Sequence, residues 1–146
     1  MLVIDTSALI AIINHEPERR QFLEIIANAS ELMLSAMTWY ETMIVARNLQ
    51  GERGVEILLS VLIERNVTIM PFDAGAAVEA VAAYQKFGGR KHPAHLSFGD
   101  CPAYTLAKTM GCPLLFKGND FAQTDIVAAT SLPTPAGSVP PATPGP

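Results

Sequence analysis

Short apolar runs alternate along this chain with apolar faces at helical spacing. Leu2, Val3 and Ile4 suit a strand buried on both faces, as in a parallel sheet covered by helices. Ala8, Leu9, Ile10, Ile12 and Ile13 follow as a packed helix, with Thr6 and Ser7 as favoured N-caps. His15 to Glu18 reads as a break and a fresh helix start, with Pro17 in a first-turn position and Phe22, Leu23, Ile25 and Ile26 facing inward. Leu32 to Leu34 predicts a second strand, and Ser35 or Thr38 would cap the helix over 39 to about 49. Val55, Leu58, Leu59 and Leu62 give a further helix over 54–65, and Val67 to Met70 a strand that Pro71 closes. Asp73 stands at the N-cap of an alanine-rich helix over 74–87. After a glycine- and proline-marked loop, Leu106, Ala107 and Met110 line the inner side of a helix that Gly111 ends as a left-handed stop. Pro113 to Phe116 is the last strand. The alternation predicts an α/β fold: a single domain with a parallel β-sheet, helices on both faces and right-handed crossovers.

A length of 146 residues with 49% hydrophobic and 16% charged positions fits one well-buried domain and not two. From Pro133 the chain turns to uncharged Pro, Ala, Thr, Gly and Ser, which places the domain over 1–130 and a disordered tail over 131–146. The first apolar run contains Asp5 and has no basic residues before it, unlike an export signal, and no other stretch is apolar for long enough to span a bilayer. A cytoplasmic location is expected. Cys101 and Cys112 fall near opposite ends of one predicted helix, roughly 16 Å apart at about 1.5 Å per residue, so they cannot bridge. A net charge of −4 argues against a protein that holds nucleic acid by a uniformly basic surface, but is compatible with a local basic patch or an acidic cluster neutralised by a cation.

Four acids stand where such a fold gathers its chemistry. Asp5 ends the first strand and Asp120 follows the last, while Glu41 and Asp100 open helices after connecting loops, so all four fall at the carboxyl edge of the sheet, where open α/β sheets bind ligands. Each also has a purely structural reading. Asp5 and Asp100 would be helix caps, and Thr38 with Glu41 three residues on fits a self-contained capping box. Together, four converging carboxylates repel and raise one another's pKa unless a cation offsets them. Carboxylate oxygens suit Mg2+ or Mn2+, and one or two such ions, about 4 Å apart if two, activate water against a phosphodiester. His92 and His95 flank Pro93 without helical spacing, and Cys101 adds no fourth partner, which disfavours zinc. Arg90, Lys91 and His92 form a short charge run that is either solvated surface or, with Lys117, a holder of phosphates that reads no sequence. Thr6 and Ser7 could orient an acid or a water.

Asp-Thr-Ser-Ala-Leu at the N-terminus, the acid opening a helix after the second strand, Arg-Lys-His-Pro-Ala-His-Leu-Ser-Phe-Gly-Asp-Cys over 90–101 and Phe-Lys-Gly-Asn-Asp-Phe over 116–121 together resemble the PIN-domain family. More narrowly they are similar to the VapC-type toxins of bacterial toxin-antitoxin pairs. The resemblance runs from Met1 to about Ala128. It implies an Mg2+- or Mn2+-dependent endoribonuclease acting on single-stranded or loop RNA, a homodimer, and a cognate antitoxin that blocks the groove. It implies Asp5, Glu41, Asp100 and Asp120 as catalytic acids, with Asp5, Asp100 and Asp120 on the metal and Asn119 beside them. Ser97 stands where relatives often carry Asn, and Asn119 where they often carry Asp, which would weaken a second metal position. Asp125 is a possible extra acid, better explained as a loop residue.

Two rivals remain at this stage. A phosphoaspartate enzyme or receiver domain lacks its second acid, since Ser7 stands two residues after Asp5 and Pro71 precedes Asp73. A PIN fold acting only as a binding module would need no intact acids.

Overall fold

The computed structural model describes residues 1–131; the predicted tail, from residue 132 onward, lies outside the described residues. Four parallel strands, β1 (Leu2–Ile4), β2 (Leu32–Ser35), β3 (Thr68–Met70) and β4 (Leu114–Leu115), lie in the order β3-β2-β1-β4. The helices are α1 (Thr6–Ile13), α2 (Arg19–Asn28), α3 (Ala36–Glu64), α4 (Ala74–Phe87) and α5 (Asp100–Met110).

Strand alternation explains why helices cover both faces. Leu2, Ile4, Leu32, Leu34 and Leu115 point to one side, into a core shared with α1, α2 and α3. Val3, Met33 and Leu114 point to the other and pack on α4 and α5. β1 sits between β2 and β4, pairing Val3 with both Met33 and Leu114, so Asp5 leaves the sheet at its most enclosed point. β3 and β4 are the two edges, and Ile69 is exposed on β3.

The structure changes several local expectations. Asp5, not Thr6 or Ser7, caps α1, its carboxylate accepting from the Ser7 amide. The two helices expected over 39 to about 49 and 54–65 are both present within α3, separated by a kink at Gly51, whose φ of 64° favours glycine. Because α3 begins at Ala36, Thr38 lies inside it and the Thr38–Glu41 capping box does not form. Leu59, expected inward, is exposed, whereas Leu58 and Leu62 are buried. Asp73 caps α4 through the Ala76 amide and Gly111 ends α5 in the left-handed region, both as expected. Cys101 and Cys112 are buried free thiols. No helix among the described residues is long and apolar enough to cross a membrane.

Candidate active site

Asp5 is 3% exposed, and its two oxygens have different fates. Oδ2 accepts from the Ser7 amide at 2.9 Å and from Ser7 Oγ at 2.6 Å. Oδ1 is buried with no hydrogen-bond partner among the described residues. Burial pushes the carboxyl up to about 7, opposed by the two Ser7 hydrogen bonds and aided by the negative charges of Asp100 and Glu41. A buried acceptor with nothing to accept is costly, and a cation is the partner that would both satisfy and ionise it.

Glu41 arrives from the first turns of α3. Its Oε2 accepts from Thr6 Oγ1 at 2.9 Å, and Thr6 is steadied in turn by Thr42 Oγ1 at 2.9 Å. The other side of the carboxylate rests on Gly99, where a Cβ would overlap Glu41 Oε1. Gly99→Ala is therefore expected to leave the fold intact and displace the Glu41 carboxylate. Any chemistry that uses Glu41 should slow while the melting temperature holds within a few degrees. Unchanged turnover in that variant would show that the position of Glu41 is immaterial.

Asp100 opens α5 in a reciprocal box: its Oδ2 accepts from the Ser97 amide at 2.7 Å while its own amide donates to Ser97 Oγ at 3.3 Å. The capping reading thus holds for Asp100, but it occupies only one carboxylate oxygen. Ser97 here shapes the helix start, a role the Ser-x-x-Asp spacing made visible. Burial and the neighbouring Asp100 charge push the Cys101 thiol up to about 11, which keeps it protonated and unreactive at neutral pH.

Asp120 stands apart from these three. It is exposed at the start of the turn Phe121–Gln123 and makes no side-chain capping bond. It is also absent from the charges that raise Asp5. Gly118, with φ of 99°, lets the loop turn, and Phe121 fastens its far end against Phe116, ring centroids 5.1 Å apart. Asn119 is exposed beside it. Among the described residues, no three Asp, Glu, His or Cys side chains are already arranged to close on one ion.

Lys117 is not the free cation its position promised. Its Nζ pairs with Glu16, and lies 3.2 Å from Glu18 Oε2 in an ion pair without hydrogen-bond alignment. The hydrogen bond to Glu16, with the charges of Glu16 and Glu18, raises the Lys117 pKa. Its amide donates to Ser7 Oγ at 3.0 Å, so the loop after β4 is tied to the serine that holds Asp5. Lys117→Met should lower the melting temperature at low salt and by less at high salt, because the triad is partly exposed and screened. A loss independent of salt would rule out this charge latch. Arg90 and Lys91 are exposed on the turn Gly89–Lys91 and pair with no carboxylate among the described residues. His92 Nδ1 accepts from the Ala94 amide and His95 Nδ1 lies 2.8 Å from the Gly89 carbonyl, which gives both rings loop-shaping roles. Asp125 accepts from Tyr104 Oη at 2.6 Å and pairs with Lys108 and Lys86, away from the other acids.

Beside the buried strand-end Asp5 stand Glu41 from α3 and Asp100 from α5, and residues 2–127 match the PIN domain family. The chain belongs to the PIN-domain family. This PIN domain is 40% identical to Ribonuclease VapC of Mycolicibacterium smegmatis over 127 residues, covering 87% of this chain and 98% of the relative. It is also 40% identical to Ribonuclease VapC30 of Mycobacterium tuberculosis over 132 residues, 90% of this chain and all of the relative. In backbone, the PIN domain follows Mycobacterium tuberculosis VapC20, described as a toxin cleaving the sarcin-ricin loop, with a TM-score of 0.73 at 17% identity over 87% of this chain and 97% of that one. It likewise follows a toxin-antitoxin complex from Klebsiella pneumoniae, with a TM-score of 0.66 at 24% identity over 89% and 98% of the two chains.

Proposed function

We propose that this PIN domain is a VapC-type endoribonuclease toxin that cleaves RNA with Mg2+ or Mn2+ and is neutralised by a cognate antitoxin. The observation that carries the reading is the buried, unpartnered Asp5 Oδ1 at the carboxyl edge of the sheet, with Glu41 and Asp100 near enough to raise its pKa. Identity of 40% to VapC ribonucleases over nearly their whole length supports the reaction class.

In this reading Asp5, Asp100 and Asp120 would hold the cation, Asp5 and Asp100 each having one carboxylate oxygen that Ser7 or Ser97 leaves free. A bound Mg2+ or Mn2+ supplies an activated water and offsets charge at the phosphodiester. Glu41 is fixed by Thr6 through Oε2 and adds its negative charge beside Asp5 at the edge of the site. Ser7 orients Asp5, while Arg90 and Lys91 steady RNA phosphates and Asn119 stands beside Asp120. The nuclease domain spans residues 1–130, acts in the cytoplasm and assembles as a homodimer.

The test is cleavage of a mixed bacterial RNA pool by antitoxin-free protein in Mg2+, in Mn2+ and in chelator, beside Asp100→Asn. Metal-dependent cuts that vanish in the variant are expected. Folded protein that neither cuts nor binds Mn2+ would instead be a PIN-fold binding module.

A further inference from the structure

Beside Glu41 the surface opens into an apolar slot of about 190 Å3, lined by Met37, Tyr40, Ile44 and Val45 from α3 and by Phe98 and Pro102 at the start of α5. Phe98 is 78% exposed and Tyr40 57%, an unusual expenditure of aromatic surface on two residues that flank one cavity. Glu41 is the only charged side chain in the lining, and Gly99 brings the backbone against its carboxylate. Phe98 lies two residues before Asp100, so the slot is continuous with the acidic site.

Resting on the nuclease reading, we propose that this slot is a base-binding subsite: it takes one unstacked nucleobase of the RNA, held between Phe98 and Tyr40, with Glu41 Oε1 accepting from the base's amino group. Charge decides the occupant. The lining contains no cation, so it does not suit a phosphate, and its one charged group is a pure acceptor, which complements the amino edges of adenine, cytosine or guanine. Uracil has no amino group and offers only its N3–H, set between two carbonyls that the carboxylate repels, and is disfavoured. The slot, at about 190 Å3, is on the scale of a single nucleobase. It would set which nucleotide lies beside the cut, because bases outside a duplex are commonly read by aromatic stacking plus hydrogen bonds to their edges.

The test compares wild type, Phe98→Ala, Phe98→Tyr and Tyr40→Ala. Labelled oligoadenylate, oligocytidylate and oligouridylate are titrated in chelator, where nothing is cut, and the RNA pool is cleaved in Mn2+. Stacking of this kind typically contributes 1–3 kcal/mol per base, so the alanine variants should bind oligoadenylate and oligocytidylate about ten- to a hundredfold more weakly. Phe98→Tyr should bind as wild type does, and oligouridylate should bind most weakly throughout. In cleavage, KM should rise with kcat little changed. Wild type that cuts RNA while the alanine variants keep its affinity and cut sites would overturn the subsite and leave the nuclease reading intact. Intact RNA binding alongside weakened capture of an antitoxin peptide would also overturn it, assigning the slot to a polypeptide. Wild type that binds none of the three oligonucleotides overturns it as well.

Discussion

Asp5→Asn is expected to reduce cleavage by about a thousandfold or more, the consequence of losing several kcal/mol of charge stabilisation at the reacting phosphate. The same variant should stay folded. Asn is as good an N-cap as Asp, and its side-chain oxygen can still accept from the Ser7 amide and hydroxyl. Asp5→Ala separates the two roles of the residue. It should be equally inactive but should also lose roughly 1 kcal/mol of stability with the cap of α1. Single-turnover cleavage in Mn2+ and thermal melts of both variants make the comparison. Added Mn2+ should raise the melting temperature of wild type and leave Asp5→Asn nearly unmoved, since only a state that binds the ion is stabilised by it. Activity of Asp5→Asn within tenfold of wild type would reduce Asp5 to a cap.

Why Asp5 was visible in the sequence and its surroundings were not is a matter of range. The strand-end position follows from Leu2 to Ile4 and the helix after them, a local pattern with a fixed consequence. The two-faced sheet was equally legible, because β1, β2 and β4 are buried along their whole length and leave no solvent face. Glu41 shows the limit. Its spacing from Thr38 fits a local cap, yet the carboxylate binds Thr6, 35 positions away, because Ser35 and not Thr38 stands at the N-cap of α3 and Thr38 falls inside the helix. Lys117 fails for the same reason: a cation after a strand looks free until Glu16 and Glu18 are folded against it.

Long-range packing also explains what the glycines and serines contribute. Gly99 marks a close approach that only the fold creates, and no local rule distinguishes it from an ordinary loop glycine. Ser97 and Asp100 could be paired from their spacing, since both partners of a capping box lie within one turn. Asp120 remains the acid least prepared for chemistry. It is exposed on a loop that Phe121 fastens, whereas Asp5 is buried and held by Ser7.

The second large effect is on stability against pH in metal-free protein. The Asp5 carboxyl rises from an ordinary 3.8 to about 7 in the fold, chiefly through burial, so the native state holds this proton more tightly than the unfolded chain does. A raised acid pKa contributes stability that is complete below the unfolded value and is lost as pH climbs to the folded one. In chelator, wild type should therefore lose up to about 4 kcal/mol of Asp5-linked stability between pH 4 and 7, with little further change above. Asp125, which its hydrogen bond from Tyr104 holds below the ordinary range, acts in the opposite direction and weakens the fold as pH falls through its own titration. Subtracting the Asp5→Asn profile removes that contribution, because Asp125 is unchanged in both proteins. The difference should favour the variant increasingly from pH 4 to 7, measured by urea unfolding at fixed ionic strength. Saturating Mn2+ at pH 7 should close the gap by binding ionised Asp5 in wild type alone. Parallel profiles for the two proteins would mean that Asp5 ionises freely in the fold, and that its unpartnered oxygen is not the strained acceptor on which the metal site rests.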